Sequence, residues 1–289
     1  MIRAIIRSMR PGQWVKNLIV FAGLLFTLDR PHPATDYAMV VLAFVLFCIL
    51  SGVVYLINDV RDADRDRKHP SKSQRPVAAG KLSPRAALTA AVVLAAVGLG
   101  GSFATSIKFG GIALLYVALM TVYSFSLKNV AILDVMTIAA GFVLRAVAGA
   151  AVIAVEISPW LLVCTILMAL FLGLAKRHGE LAELGEDAAS HRSSLGQYTV
   201  PLLDQLINIT ASASIIAYAL YTFFSKTGSS HPYMMATLPF VIYGVFRYLL
   251  LVQGGNGAAN PEALLLRDKP LLADIGLWAI ACALVMALS

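Results

Sequence analysis

The sequence predicts an all-α integral membrane protein, a bundle of nine transmembrane helices with a polar cap on its cytoplasmic side. Of its 289 residues, 59% are apolar and the mean hydropathy is +0.78, which is more apolar surface than one soluble core can bury. Nine apolar runs are long enough to cross about 30 Å of hydrocarbon. The Lys and Arg residues between these runs lie mostly on one side of the predicted membrane.

The nine predicted spans, taken in chain order, lie near 14–29, 36–57, 85–105, 109–127, 131–154, 158–175, 200–225, 233–253 and 270–288. Because nine is odd, the two termini are expected on opposite sides. The basic N-terminus has no signal-peptide cleavage pattern, so the first run is kept as structure. We therefore expect one transmembrane domain over residues 1–289.

The distribution of basic residues supports this topology. With the N-terminus in the cytoplasm, 18 of the 23 Lys and Arg residues fall in cytoplasmic segments, as the positive-inside rule requires. The plasma (inner) membrane is the expected location. The net charge of +7 is explained by this topology, so no nucleic-acid partner is expected.

The loop at 58–85 is the most highly charged part of the chain, with 12 of its 39 charged residues. If the preceding helix continues, Asp59, Asp62 and Asp66 lie on one helical face, and Asp64 points away. Three convergent carboxylates need a cation, and hard oxygen ligands suit Mg²⁺ that bridges a pyrophosphate. The alternative is a solvated loop in which Asp and Arg pair at random.

Basic side chains in this loop outnumber the aspartates and suit a phosphate-rich ligand. We expect Arg67, Lys68 and Arg75 to contact that ligand. For the other basic residues, the competing explanation is membrane topology and attraction to anionic lipids.

The second charged loop, 176–199, repeats the helical spacing. Lys176, Glu180, Glu183 and Asp187 form a single stripe on a helix that extends from the sixth span. For Glu183 and Asp187, ligand binding is weighted equally with a simpler interpretation. In that interpretation Lys176 pairs with Glu180 and the other acids are solvated. Two polar cytoplasmic loops facing one another would form a site for a charged substrate at the lipid boundary.

Asp134 and Arg145 are ionisable residues inside one predicted span. They are eleven residues apart and therefore share a helical face. Such residues usually line a cavity or pathway, but a structural ion pair between helices is weighted equally. Lys128 begins the same predicted helix, and Tyr123 lies at the cytoplasmic exit of the span before it.

The motif Asn58-Asp59-x-x-Asp62-x-x-x-Asp66 resembles the first aspartate-rich motif of the UbiA-type intramembrane prenyltransferases. The resemblance covers essentially the whole chain. It implies a UbiA-like bundle that binds Mg²⁺ and a diphosphate between two cytoplasmic motifs, above a cavity that opens sideways to lipid.

The second motif of that family, two aspartates four residues apart, is absent here and is replaced by Lys176-Arg177-His178-Gly179-Glu180. This departure is similar to the decaprenyl-phosphate phosphoribosyltransferase branch, which acts in actinobacterial cell-wall arabinan synthesis. The further residues that carry this similarity are Lys16 and Asn17 within 10–17, then Tyr123, Lys128, Asp134 and Arg145, and finally Pro261, Glu262 and Asp268.

The branch resemblance implies transfer of 5-phosphoribose from phosphoribosyl pyrophosphate to a polyprenyl phosphate. Asp59, Asp62 and Asp66 would then hold Mg²⁺ on the leaving pyrophosphate, and Lys176 would bind a phosphate and assist catalysis. The remaining expected substrate-binding residues are Asn58, Arg67, Lys68, Arg75, Lys16, Asn17, Tyr123, Lys128, Asp134, Arg145, Arg177 and Glu180.

Two alternative functions remain open from the sequence. The first is prenylation of an aromatic acceptor, in which the prenyl chain carries the diphosphate. The second is an organic-anion transporter, which would explain Asp134 and Arg145 but not an aspartate triplet at the end of a span. A homo-oligomer is left open.

Overall fold

The computed structural model describes residues 1–68, 72–185, 188, 192–254, 264–265 and 267–288. Within them the ordered elements are helices. In chain order the α-helices are α1 (Ile2–Ser8), α2 (Ala22–Leu25), α3 (Ala34–Arg61), α4 (Ala63–Lys68), α5 (Pro84–Thr105), α6 (Ile107–Phe125), α7 (Leu133–Val152), α8 (Pro159–Leu184), α9 (Val200–Phe224), α10 (Lys226–Ser230), α11 (Leu238–Gln253) and α12 (Lys269–Leu288). Segments of 3₁₀ helix cover Pro11–Phe21, Lys72–Gln74, Leu127–Asn129, Leu195–Gln197 and Pro232–Thr237.

Local sequence explains where several of these helices begin. Pro84 and Pro159 are the first residues of α5 and α8, a position where the missing N–H costs no hydrogen bond. Ser106 and Thr199 cap α6 and α9 by accepting a backbone N–H from three residues further on.

Among the described residues, eight helical segments are long and apolar enough to cross a membrane, and they match the second to ninth predicted spans. They are 34–61, 84–105, 107–125, 133–152, 159–184, 200–224, 232–253 and 269–288. The prediction of an all-α membrane protein is thus confirmed, whereas a count of nine spanning helices is not.

The first predicted span is a 3₁₀ helix over Pro11–Phe21 that continues into the short α2. It packs against α3 nonetheless. At one end Arg10 pairs with Asp59, and at the other the Thr27 hydroxyl lies 3.0 Å from His32 Nε2. That this segment crosses the membrane as a ninth span stays a prediction.

The bundle is organised around α3 and α7. Helix α3 packs against α5 and α6, α7 packs against α6 and α8, and the first 3₁₀ segment lies between α3 and α7. Helix α8 then packs against α9, and α11 against α12. The ends of α3, α6, α7 and α8 consequently meet around one polar cavity.

Candidate active site

A cavity of about 1370 Å³ lies among the ends of these helices. Residues of both charged loops line it, together with the N-terminal segment and the inner faces of α6 and α7. Of the expected site residues, those lining it are Lys16, Asn58, Asp59, Asp62, Asp66, Arg75, Tyr123, Lys128, Arg145, Lys176, Arg177 and Glu180. The two loops therefore face one another across this cavity, as the spacing predicts.

The aspartates of the first loop follow an almost unbroken helical path. Helix α3 ends at Arg61, but the Asp62 N–H donates to the Asn58 carbonyl and the Asp66 N–H to the Asp62 carbonyl. Asp59 and Asp66 are buried, whereas the Asp64 side chain is 92% exposed and pairs with Arg67 at 2.5 Å. Asp64 therefore points away from the other three aspartates, as helical periodicity predicts.

Each carboxylate of the triplet lies against a basic side chain. Arg10 pairs with Asp59. Arg75 Nη1 lies 2.7 Å from Asp66 Oδ2 and 3.5 Å from Asp59 Oδ1. Asp59 and Asp66 thus share one guanidinium, which balances part of their combined charge.

Asp62 turns instead toward Lys128. The Lys128 ammonium donates to both Asp62 oxygens, at 2.5 and 2.8 Å, and to Asn58 Oδ1 at 3.0 Å. Within the described residues, no three acidic, His or Cys side chains meet closely enough to hold a metal ion in this conformation.

The triplet nevertheless has a donor set that fits Mg²⁺. Asp59 Oδ2 is buried with no hydrogen-bond partner, which leaves one hard anionic oxygen free to coordinate a cation. Asp62 and Asp66 lie one turn and two turns further along the same path.

Burial alters the protonation of charged groups at this end of the cavity. Burial raises the pKa of Asp66, an effect that Arg75 opposes and the Asp59 charge reinforces. Burial lowers the pKa of Lys72, a shift that the Glu180 carboxylate opposes. Burial also lowers the pKa of Lys128, and there the Asp62 carboxylate opposes the shift. Lys72, from the first loop, is therefore close to Glu180 of the second.

Arg177 is the most buried charged side chain among the described residues of the second loop, at 1% exposure. It pairs with Glu180 and lies 3.0 Å from Asp134 Oδ2. Lys176 and Glu180 line the cavity beside it, as does the exposed Glu183. Asp187 lies outside the described residues.

Asp134 is fully buried at the centre of a network that joins α7 to the second loop. Arg192 Nη2 lies 3.3 Å from it, and the Tyr198 hydroxyl donates to it at 2.8 Å. Tyr198 also accepts the Ile132 N–H at 2.6 Å. Of the two interpretations for Asp134, this geometry agrees with a structural ion pair between helices, with Arg177 as its partner.

Ile132 has a backbone that a β-branched residue rarely adopts, with φ 68° and ψ −51°. The Leu133 N–H donates to the Ala131 carbonyl at 2.8 Å, which closes a strained three-residue turn. This turn brings Lys128 and Asp134 to the cavity end of α7, and Tyr198 holds it.

Arg145 does not pair with Asp134. Its Nε donates to Asn17 Oδ1 at 2.7 Å, its Nη2 to the Tyr116 hydroxyl at 2.7 Å and its Nη1 to the Gly141 carbonyl at 2.9 Å. Asn17 does not line the cavity but supports Arg145 from behind, and its amide donates to Ser51 Oγ at 3.4 Å.

Two expected ligand contacts lie away from the cavity. Arg67 is bonded to Asp64 and to the Ala78 carbonyl, and Lys68 is exposed. Asp268 pairs with Arg247 at 2.8 Å. Pro261 and Glu262 lie outside the described residues.

Several residues of the site are not found by the sequence analysis. Arg10 and Arg192 both pair with buried aspartates, and Lys72 and Tyr116 line the cavity. Arg192 is the remaining Lys or Arg of the second loop, so a search for cations able to balance Asp134 could have nominated it. For Tyr116, an aromatic residue in an apolar span, the sequence carries no such signal.

The comparisons with known proteins agree with this architecture. The UbiA prenyltransferase family matches residues 17–267. Decaprenyl-phosphate phosphoribosyltransferase of Mycobacterium tuberculosis is 33% identical over 274 residues, which is 94% of this chain and 90% of that protein. The enzyme of the same name from Corynebacterium glutamicum is 36% identical over 275 residues, 92% of this chain and 81% of that one.

Solved structures show the same fold at lower identity. A UbiA homolog from Archaeoglobus fulgidus bound to GPP and Mg²⁺ superposes with a TM-score of 0.74 at 18% identity, covering 98% of this chain and 99% of that chain. A UbiA homolog from Aeropyrum pernix superposes with a TM-score of 0.69 at 13% identity, covering 92% and 96%.

Proposed function

This chain belongs to the UbiA prenyltransferase family, and we propose that it transfers 5-phosphoribose from phosphoribosyl pyrophosphate to a polyprenyl phosphate and releases pyrophosphate. The observation that carries the proposal is the second loop. Basic side chains, Lys176 among them, line the cavity there, across from the aspartates of the first loop. A donor with a diphosphate at one end and a further phosphate at the other suits that arrangement.

The relatives support the same reaction. Two proteins named decaprenyl-phosphate phosphoribosyltransferase align over more than nine-tenths of this chain at 33% and 36% identity. By that likeness, decaprenyl phosphate is the proposed acceptor.

Mg²⁺ would be held by Asp59, Asp62 and Asp66, which fit it through the free Oδ2 of Asp59 and their shared helical path. When bound there, the ion neutralises charge on the leaving pyrophosphate.

The chain's own basic residues have the task of holding two anions together. Arg75 and Lys128 lie beside the aspartates. Lys72 of the first loop and Lys176 of the second also line the cavity. The acceptor is already largely dianionic at neutral pH, because the second pKa of a phosphate monoester is about 6. No strong general base is therefore required, and the site acts through orientation and electrostatics.

We also propose that the cavity opens to the cytoplasm. The soluble donor would enter from that side, and the apolar tail of the acceptor would lie among the helices. The partition of basic residues supports this orientation.

The direct test is to incubate purified protein with Mg²⁺, radiolabelled phosphoribosyl pyrophosphate and decaprenyl phosphate, and to count label in the lipid phase. We expect label there with unmodified protein and with Asp64→Asn, and none with Asp62→Asn. A complementary measurement is calorimetry with phosphoribosyl pyrophosphate and Mg²⁺ in the absence of lipid. If the donor does not bind, while a prenyl diphosphate and an aromatic acid are turned over, the reaction is aromatic prenylation and the proposal is wrong.

A further inference from the structure

Arg145 is a buried cation at the inner end of the cavity, and it differs from the basic residues that lie beside carboxylates at the outer end. It is 5% exposed, lines the cavity and forms no ion pair among the residues that the structure describes. The basic residues at the outer end, Arg10, Arg75, Lys128 and Arg177, each lie against a carboxylate. Since a buried charge without a counterion is costly, binding of an anionic ligand would be favourable at Arg145.

The neighbours of Arg145 orient its guanidinium without neutralising it. Asn17, Tyr116 and the Gly141 carbonyl accept three of its five N–H groups. One N–H on each Nη nitrogen is left, and a pair of this kind suits phosphate oxygens. The Tyr116 and Phe142 rings lie 4.6 and 5.4 Å from the guanidinium carbon and supply apolar walls.

The depth of this position decides which anion it suits. The side chain of Arg145 reaches back to Gly141, eight residues into α7, which is about 12 Å along the helix from its first residue. Apolar side chains line the cavity at this level, namely Met120, Ile138 and Phe142. A phosphate with an apolar chain attached is favoured here over a soluble sugar phosphate.

We propose that Arg145 binds the phosphate of the lipid acceptor, apart from the phosphoribosyl pyrophosphate at the aspartates and without a metal ion. This inference rests on the proposed function and assigns the two substrates to the two ends of one cavity. Arg145 would hold the acceptor phosphate in place, so that one of its oxygens attacks C1 of the ribose while the C1–O bond to pyrophosphate breaks and pyrophosphate leaves.

Binding of each substrate can be measured separately in nanodiscs of neutral phosphatidylcholine, with farnesyl monophosphate as the lipid probe. We expect Arg145→Gln to weaken the binding of farnesyl monophosphate roughly 10- to 100-fold, because a pair of charge-assisted hydrogen bonds is lost. Binding of phosphoribosyl pyrophosphate with Mg²⁺ should change by less than about twofold, as for distant sites, which also shows that the variant is folded. Two further probes each lack one part of the ligand: farnesol lacks the phosphate, and inorganic phosphate lacks the apolar chain. Both should bind to unmodified protein far more weakly than farnesyl monophosphate.

The matched control is Arg247→Gln. Arg247 is another arginine within a predicted span, but it has a carboxylate partner in Asp268 and does not line the cavity. We expect this change to leave farnesyl monophosphate binding as it is. The assignment would be overturned if both variants lost farnesyl monophosphate binding equally, or if Arg145→Gln lost none. It would also be overturned if Arg145→Gln lost as much affinity for phosphoribosyl pyrophosphate as for farnesyl monophosphate.

A measurement on the unmodified protein tests the same inference without any variant. Because no carboxylate of the described part of the chain pairs with Arg145, farnesyl monophosphate should bind equally well with Mg²⁺ and with EDTA. A tenfold or greater loss of its binding in EDTA would contradict the inference. Failure of phosphoribosyl pyrophosphate to bind at all would instead contradict the proposed reaction, and would leave the assignment of Arg145 to a lipid phosphate intact.

Discussion

Two aspartates of the first loop pair with basic side chains from distant parts of the chain. Asp59 pairs with Arg10 and Asp62 with Lys128, 49 and 66 residues away. Each carboxylate of the triplet therefore lies beside a cation while it lines the cavity. Neutralising one carboxylate would leave its basic partner without that counterion and would remove an anionic oxygen ligand.

Neutralising the triplet should abolish turnover. We expect Asp59→Asn, Asp62→Asn and Asp66→Asn each to lower kcat about 100-fold or more, as the loss of one electrostatic contact in an active site commonly does. Asp64→Asn is the matched control, because that side chain is 92% exposed and its pair with Arg67 contributes little. The transfer assay measures all four, and an Asp64 variant as impaired as the Asp62 variant would contradict the helical-face argument.

Tyr198 should stabilise the site without taking part in the reaction. Its hydroxyl donates to Asp134 and accepts the Ile132 N–H. Burial, together with the Asp134 charge, raises its pKa to about 12, so it remains a donor at neutral pH. Tyr198→Phe leaves the buried Asp134 carboxylate and the Ile132 N–H without that partner and should cost roughly 1–3 kcal/mol of unfolding free energy. Thermal unfolding in detergent measures this, and Tyr233→Phe, at a side chain 74% exposed, should have no effect.

Which side chains would form the site is predictable only where the cause is local. The positions of Asp59, Asp62, Asp66 and Asp64 follow from helical periodicity alone. The partner of Asp134 does not, because Arg145 shares its helical face but lies three turns away, whereas Arg177 reaches it from another helix. Long-range packing of this kind leaves no periodic signal in a single sequence.

At the scale of elements, the close approach of the first 3₁₀ segment to α7 positions the inner end of the cavity. Gly149 lies against the backbone of Val20, where an added Cβ would overlap the Val20 carbonyl. This contact keeps Asn17, on the same segment, beside Arg145. An apolar run at 14–29 predicts an ordinary spanning helix, so the tighter 3₁₀ geometry is set by packing and not by composition.

Gly149→Ala should therefore destabilise the protein. The added methyl group forces the 3₁₀ segment away from α7, and overpacking of this kind costs typically 1–3 kcal/mol. Gly100→Ala in α5 is the matched control, since nothing lies within 4 Å of its Cβ position, and it should be neutral or gain up to about 1 kcal/mol. Thermal unfolding of both variants in the same detergent compares them. An unchanged midpoint in Gly149→Ala would mean that the segment is not held against α7.

At the scale of the whole molecule, apolar side chains cover the outer faces of the spanning helices while the charges gather at one end. Val92, Leu250 and Ile280 are each more than half exposed, which suits contact with lipid. The charged residues that line the cavity, Arg7 and Lys176 among them, are grouped around the ends of the helices. The apolar runs predict this division, and the spacing of the basic residues predicts its orientation.

That orientation can be measured by labelling single cysteines with a membrane-impermeant maleimide. Lys81→Cys and Lys226→Cys suit the test because both positions are exposed and lie on opposite sides in the predicted topology. Intact cells should label Lys226→Cys only, and permeabilised cells should label both, because loop 58–85 is expected in the cytoplasm. Arg3→Cys should behave like Lys81→Cys, since Arg10 holds the N-terminal segment against Asp59. The unmodified chain, whose cysteines lie within the spanning helices, is the background control. Labelling of positions 81 and 226 from the same side would remove the predicted topology, and with it the entry of a soluble donor from the cytoplasm.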